Sequence, residues 1–259
     1  MKKSVLISSM FVAAALVSQS ALAEVRLRAG VGASSYKLGG DYTGAKSDYN
    51  STNVGVTFAA DNGFYVDLAG SSGSGKHDGW ATANAPTTIC GGTSCGNVAS
   101  AEEDFKRNDY ALIVGGSHLN QNNGIAVTFY GGLKGGTTTL GAKNAGLTWT
   151  EEKFETQGVV FGGGASFPIA QGRAGAVGVN LGLGIMSAKW TDNNGYNVKS
   201  NTAVGFSLGA SYTYPITSNF GVVADYKLNA YSYAFGDTAN PFTVNEAFST
   251  LGGSLYVKF

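Results

Sequence analysis

The feature that most limits what this chain can fold into is a periodicity of two that recurs ten times. Val25, Leu27, Ala29, Val31 and Ala33 alternate with Glu24, Arg26, Arg28, Gly30 and Gly32, the pattern of a strand with one apolar and one polar face. The alternation returns in NVGVTFAA, GFYVDLAG, DYALIVGGSHL, IAVTFYGGLK, GVVFGGGASF, AVGVNLGLGIM, TAVGFSLGASYTY, FGVVADYKLNAYSY and AFSTLGGSLYVKF. Each segment is close to the roughly nine to eleven residues that a tilted strand needs to cross a bilayer. After residue 23 no apolar run reaches the roughly eighteen residues of a helical span.

The connections alternate as well. ADNG, NQNNG, AQGRAG and PITSN are short and rich in turn formers. Between them stand longer, more polar stretches: KLGGDYTGAKSDYN, the region from about Gly73 to Glu103, TTTLGAKNAGLTWTEE, WTDNNGYN and GDTANPFTVNE. In a bilayer every backbone donor and acceptor must be paired, so a sheet that crosses one must close on itself. The sequence therefore predicts an all-β fold, a transmembrane antiparallel up-and-down β-barrel of about ten strands, with eight and twelve as the neighbouring counts. Its last strand must pair with its first.

Lys2 and Lys3, the apolar run VLISSMFVAAALV and the small residues of SQSALA form the three parts of a secretory signal peptide. Residues 1–23 are expected to be removed, leaving 24–259 as one barrel domain. Without Lys2 and Lys3 the chain carries 15 basic against 17 acidic residues, so it lacks the electrostatic footprint of a nucleic-acid binder. Its 39 glycines and 4 prolines suit neither a collagen-like nor a proline-rich disordered chain. Cys90 and Cys95, an even and closely spaced pair in a secreted chain, read as a disulfide within the longest connection.

The closing segment places Leu251, Leu255, Val257 and Phe259 on one face. It resembles the C-terminal assembly signal of outer-membrane β-barrels, which often carry an aromatic where Val257 stands. With the signal peptide and the asymmetric connections, the chain resembles the small OmpA-like and opacity-type surface barrels in a ten-stranded variant. The resemblance implies residence in the bacterial outer membrane, with long loops outside and both termini in the periplasm. The implied partners are outer-membrane lipid and lipopolysaccharide, the barrel-assembly machinery and periplasmic chaperones, and an extracellular ligand held by loops. No cofactor and no metal is expected. Phe64, Phe167, Tyr212, Tyr214 and Phe220 would form an aromatic girdle at the periplasmic interface. Tyr36, Trp149, Trp190, Tyr231, Tyr233 and Phe248 would form the outer girdle.

Parity assigns Arg26, Arg28, Asp67, Arg107, Asp109, Lys134, Asp225, Lys227 and Lys258 to the lumen, with Asn180 and Asn229. Charges at membrane depth must face a partner or water. Arg26 and Arg28 should approach Lys258 and Tyr256 across the closing seam, with Asp225 and Lys227 one strand further round. A narrow barrel filled by such side chains is favoured over an open pore, although Gly178, Gly182, Gly184, Gly205, Ser207 and Gly209 leave one wall shaved. Omptin proteases, also ten-stranded, use an Asp pair and an Asp-His pair at the outer rim. Here His118 sits beside a short turn, and His77 has only the consecutive Asp78, which points the other way on an extended segment. No serine stands in a spacing that would mark a hydrolase triad. The reading is a non-enzymatic surface barrel with an interaction or envelope-structural role. A narrow channel for ions or small solutes comes second, and a rim hydrolase third.

Overall fold

The alternation seen in the sequence becomes two surfaces. In a computed structural model, which describes residues 22–41, 44–77, 102–144, 147–193, 195–236 and 241–259, the strands are β1 (Leu22–Gly40), β2 (Ala45–Ala60), β3 (Phe64–Lys76), β4 (Glu102–Leu119), β5 (Ala126–Asn144), β6 (Leu147–Pro168), β7 (Ala176–Asp192), the short β8 (Asn197–Lys199), β9 (Ala203–Pro215), β10 (Phe220–Phe235) and β11 (Phe242–Lys258). Each long strand pairs antiparallel with its neighbours, β6 pairs with β7, and β1 closes on β11 from Arg26↔Lys258 to Gly40↔Val244. The eighth stave is β9 with β8 above it. β8 pairs only with the far end of β7, and the Ser200 hydroxyl accepts from the Ala188 amide (2.7 Å) at the break between them. The result is a ten-stave barrel closed on itself through the β1–β11 and β6–β7 pairings.

The register fixes the tilt. Stepping from Arg26 through Thr57, Asp67, Gly132, Gly184 and Tyr231 returns to β1 at Leu38, so the path closes twelve residues along the strand, from 26 to 38. Such a shear in a ten-stave barrel corresponds to strands inclined by about 40°. The outer face carries Leu27 and Val31, Val54, Phe129 and Leu133, Val177 through Ile185, Val204 through Tyr214, and Leu251 through Phe259, all well exposed. Along β9 this apolar belt is about 25 Å tall after tilt, the height of a barrel's lipid-facing band.

Tight turns close one end. In ADNG, Gly63 adopts φ +84°, which only glycine takes without strain, and Asn62 accepts from the Phe64 amide at 3.0 Å. NQNNG repeats the device, with Gly124 at φ +70° and Asn120 accepting from the Asn122 amide at 3.0 Å. This is the turn end, and the opposite rim is the loop end.

Two expectations need correction. Among the described residues, most of the stretches read as long loops are strand, and residues 78–101 of the longest stretch lie outside them. β1 runs to Gly40 and β2 restarts at Ala45, β5 and β6 continue to Asn144 and from Leu147, and β11 already begins at Phe242. Once strands leave the belt nothing ends the ladder, since each further pair satisfies backbone groups and Thr137 to Thr139, Phe154 and Tyr233 favour extended backbone. The second correction is the outer girdle: Tyr36, Trp190, Tyr231, Tyr233 and Phe248 all face the interior and are buried. They pack a core inside the barrel above the belt, where an inward aromatic removes more apolar area from water than an outward one. The signal-peptide region 1–21, Asp78, Cys90 and Cys95, and the side chain of Trp149 lie outside the described residues.

Candidate functional site

The lumen divides into two zones. The lower one, within the belt and open to the turn end, is polar. Glu24 accepts from Arg26 at 2.7 Å and pairs with Lys258 at 3.1 Å, and Arg26 lies 5.2 Å from the centroid of the Tyr256 ring. One nitrogen of Arg28 reaches both oxygens of Asp67, at 2.7 and 3.0 Å, and Thr57 donates to the same carboxylate at 2.6 Å. Arg28 crosses the intervening β2 wall over Gly55, where any Cβ would crowd the guanidinium. Asp225 pairs with Lys227 two residues on at 3.1 Å; the lysine is 66% exposed, the aspartate 13%. A cavity of about 420 Å³ lies here, lined by Arg28, Lys134, Asn180, Ser211, Asp225 and Lys227 among others. Lys134 ends it, donating across the lumen to Asn229 and lying 5.0 Å from the Phe248 ring centroid.

Above Lys134 the barrel is filled. Arg107, 2% exposed, reaches from β4 across the interior to Glu246 on β11 at 2.6 Å, and also donates to Thr138 at 2.7 Å and Asp109 at 2.7 Å. Phe248 stacks on its guanidinium at 4.1 Å, Tyr36 lies at 5.1 Å, and the Tyr233 hydroxyl donates to Glu246 at 3.3 Å. Around this bolt pack Phe105, Leu140, Phe154, Trp190 and Phe235, with Phe154 edge-on to Trp190 and Tyr233 at 5.7 and 5.4 Å. The shaved wall receives large neighbours: Tyr231 lies over Gly205 and Gly184, and Tyr130 over Gly162 and Gly182.

Near the loop end Trp190 donates its indole N–H to Glu152 at 2.8 Å. This level stands well beyond the apolar belt, and the outward neighbours here are Lys153 and Thr191. Burial pushes the Glu152 carboxyl from its ordinary 4.5 up to about 9, against the indole hydrogen bond, which lowers it; Asp192 adds to the rise. His77 is buried at the same end with Nε2 3.2 Å from the Gly141 carbonyl, whereas His118 is exposed and pairs with Val127 beside the turn end. Among the described residues no group of three His, Cys, Asp or Glu could hold a metal.

The charged residues assigned to the lumen divide between the zones: Arg26, Arg28, Asp67, Asp225, Lys227 and Lys258 lie at the polar one, and Arg107, Asp109 and Lys134 in or against the plug. Asp225 does not compensate the arginines. Sequence reasoning missed Glu152 and Glu246 as interior carboxylates, and left Glu24, on the polar face of the first strand, out of the lumen set. Glu246 falls two residues before inward Phe248, so the period carried one turn further back would have found it. Leu251, Leu255 and Val257 lie together on the outer face of β11, and exposed Phe259 follows just past its end.

No protein-family model matches the sequence, and no curated relative matches it. Solved structures do. The outer-membrane protease OmpT from Escherichia coli superposes with a TM-score of 0.64 at 12% identity, over 92% of this chain and 98% of that one. The translocator domain of the autotransporter NalP from Neisseria meningitidis gives 0.49 at 8% identity, over 100% and 96%. The attachment invasion locus protein Ail of Yersinia pestis gives 0.37 at 14%, over 91% and 98%. At 12% identity the superposition on OmpT shows a shared fold and leaves activity open. By its closed antiparallel ladder, its apolar belt and its superposition on OmpT, the chain has the fold of the small outer-membrane β-barrels, in a ten-stranded form.

Proposed function

We propose that the protein is a non-enzymatic integral barrel of the outer membrane, with its loop end outside, its turn end in the periplasm, and an interaction or envelope-structural role carried by the outer end. The observation that supports this reading is the plug. A conducting pore needs a continuous aqueous path, and here the polar cavity stops at Lys134, beneath a packed layer held by the Arg107–Glu246 pair. Packed interiors leave few voids larger than a water molecule. A buried ion pair bolted across the lumen and ringed by aromatics is a structural arrangement, and it offers no exposed nucleophile or poised base to a substrate.

The test is single-channel recording on the protein inserted in a planar bilayer. No steady unit conductance is expected. A reproducible open level in the unmodified protein would replace this reading with the narrow-channel one. Hydrolysis of peptide or lipid-ester substrates that is lost on changing His77 or Glu152 would replace it with an enzyme.

A further inference from the structure

The apolar belt is not equally tall all round. The register climbs twelve residues over ten staves, or 1.2 residues per stave, and this sets the heights of different walls against each other. By that measure Thr52 on β2 stands level with Leu183 on β7, Ser72 on β3 with Phe206 on β9, and Asn50 with Ile185, and all six are exposed. With exposed Ser74 and Asn108 beside them, β2 to β4 carry small uncharged polar groups where the far wall is aliphatic and aromatic. The apolar side chains of this wall end about 10 Å lower, at Val54, Leu68 and Leu112. A tilted barrel does not account for the difference, because the lower edge is level: Phe58 matches Val177, and Phe64 matches Tyr214. Polar groups at the depth of acyl chains must face a partner. Higher on the same wall stand opposite charges. Lys106 pairs with Ser74 and Ser74 with Asn50, so two staves on Lys106 reaches the height of Asp48 to within about half a residue. Neither Asp48 nor Lys106 has an ion-pair partner among the described residues, and both are exposed.

We propose that a second copy of the chain covers this face, about a twofold axis that runs along the membrane normal between Asn50 and Ser74. Such an axis sets Asp48 of each copy opposite Lys106 of the other at one height. Lys76 and its cross-strand partner Asp104 straddle the same axis, so opposite charges meet there as well, while Lys37 and Lys46 stand off to one side. Below the charges, Asn50, Thr52, Ser72 and Ser74 have side chains that both donate and accept, which suits a surface that must pair with itself in an isologous contact. The same residues line a recess in the wall with Val31 and Ala33, and small side chains let two backbones approach closely. The inference rests on the barrel lying in a bilayer, and not on which end faces out.

The experiment places the full barrel, carrying Cys90→Ser and Cys95→Ser, in phosphatidylcholine vesicles and adds one new cysteine for a short bismaleimide to join. Asn50→Cys, beside the axis, should give a cross-linked dimer, and Ile185→Cys, level with it on the far wall, should not. In the Asn50→Cys chain, either Asp48→Lys or Lys106→Asp sets like charges against each other at both symmetric pairs, and each should lower the cross-linked yield at least about tenfold. Mixing those two variants should restore the yield, because every pair between them is again of opposite sign. Heat-modifiable gel migration checks that every variant is folded. Equal cross-linking of the Ile185→Cys chain, or no recovery on mixing, would overturn the proposal. A chain that stays monomeric would overturn it too, and would mean that a thinned bilayer covers this face. Because the experiment reads proximity and not current, its failure is distinct from a failure of the closed-barrel reading.

Discussion

Arg107 shows what one side chain can do inside a barrel. Its donors serve Glu246, Thr138 and Asp109 at once while Phe248 covers its face, so nothing about it is solvated. Breaking such a pair by removing one partner typically costs about 3 to 5 kcal/mol, because the other charge is left buried and uncompensated. Arg107→Gln should therefore destabilise the refolded barrel in urea more than Glu246→Gln, since it strands two carboxylates where the other strands one cation still held by Asp109. The double variant should cost less than the sum, and additive losses would mean the pair is not coupled. Asp225→Asn should behave differently. Its lysine is largely exposed in the polar zone, and pairs of that kind are worth about 0 to 1 kcal/mol. Glu152 adds a pH signature. Its folded value is raised, so its contribution is fully present below 4.5 and is lost as pH rises towards about 9. In a chain whose other tryptophans are replaced by phenylalanine, Trp190 emission should report a loosening of the loop end between those limits. Glu152→Gln should flatten the profile, and an unchanged profile would remove Glu152 as its source.

At the scale of the strand, the ladder overruns the belt. Lys37, Lys46, Lys153 and Lys189 all sit on paired backbone well above it. A protease must draw several residues of extended chain into its cleft, and paired strands resist this. Trypsin added to intact cells is therefore expected to leave these four sites uncut, whereas the loops read from the sequence would expose Lys37 and Lys46. Cleavage at either, mapped by mass spectrometry, would return those stretches to loop. What was legible follows from the same physics. The ten staves and their parity could be read because the belt forces apolar residues outward, which makes the period visible from Val25 to Ala33 and again from Leu251 to Phe259. Above the belt both faces meet water or core, the outward residues turn polar as at Lys46, Asp48 and Asn50, and the composition imitates a loop. For the same reason Tyr36 and Trp190 looked like interfacial aromatics: their depth was legible, but their facing depended on strands the sequence did not announce.

At the scale of the whole molecule, closure and blockage have separate causes, and that separation can be tested. The barrel is closed by backbone pairing along the β1–β11 seam, which makes no use of the plug. The path is blocked by side chains, chiefly Phe105, Phe154 and Tyr233, each at most 2% exposed. Truncating a buried aromatic to alanine costs about 3 to 5 kcal/mol and leaves a cavity, but it removes no ladder hydrogen bond. The triple variant Phe105→Ala, Phe154→Ala and Tyr233→Ala is thus expected to insert as a barrel, with lower urea resistance, and to conduct where the parent does not. Lys134, with no ion-pair partner among the described residues and standing at the floor of the opened plug, should bias that current towards anions, and Lys134→Gln in the same background should reduce the bias. A silent triple variant that still migrates as a folded barrel would move the barrier down to the Arg28–Asp67 level, and current in the parent would mean that the aromatic layer is not a seal at all.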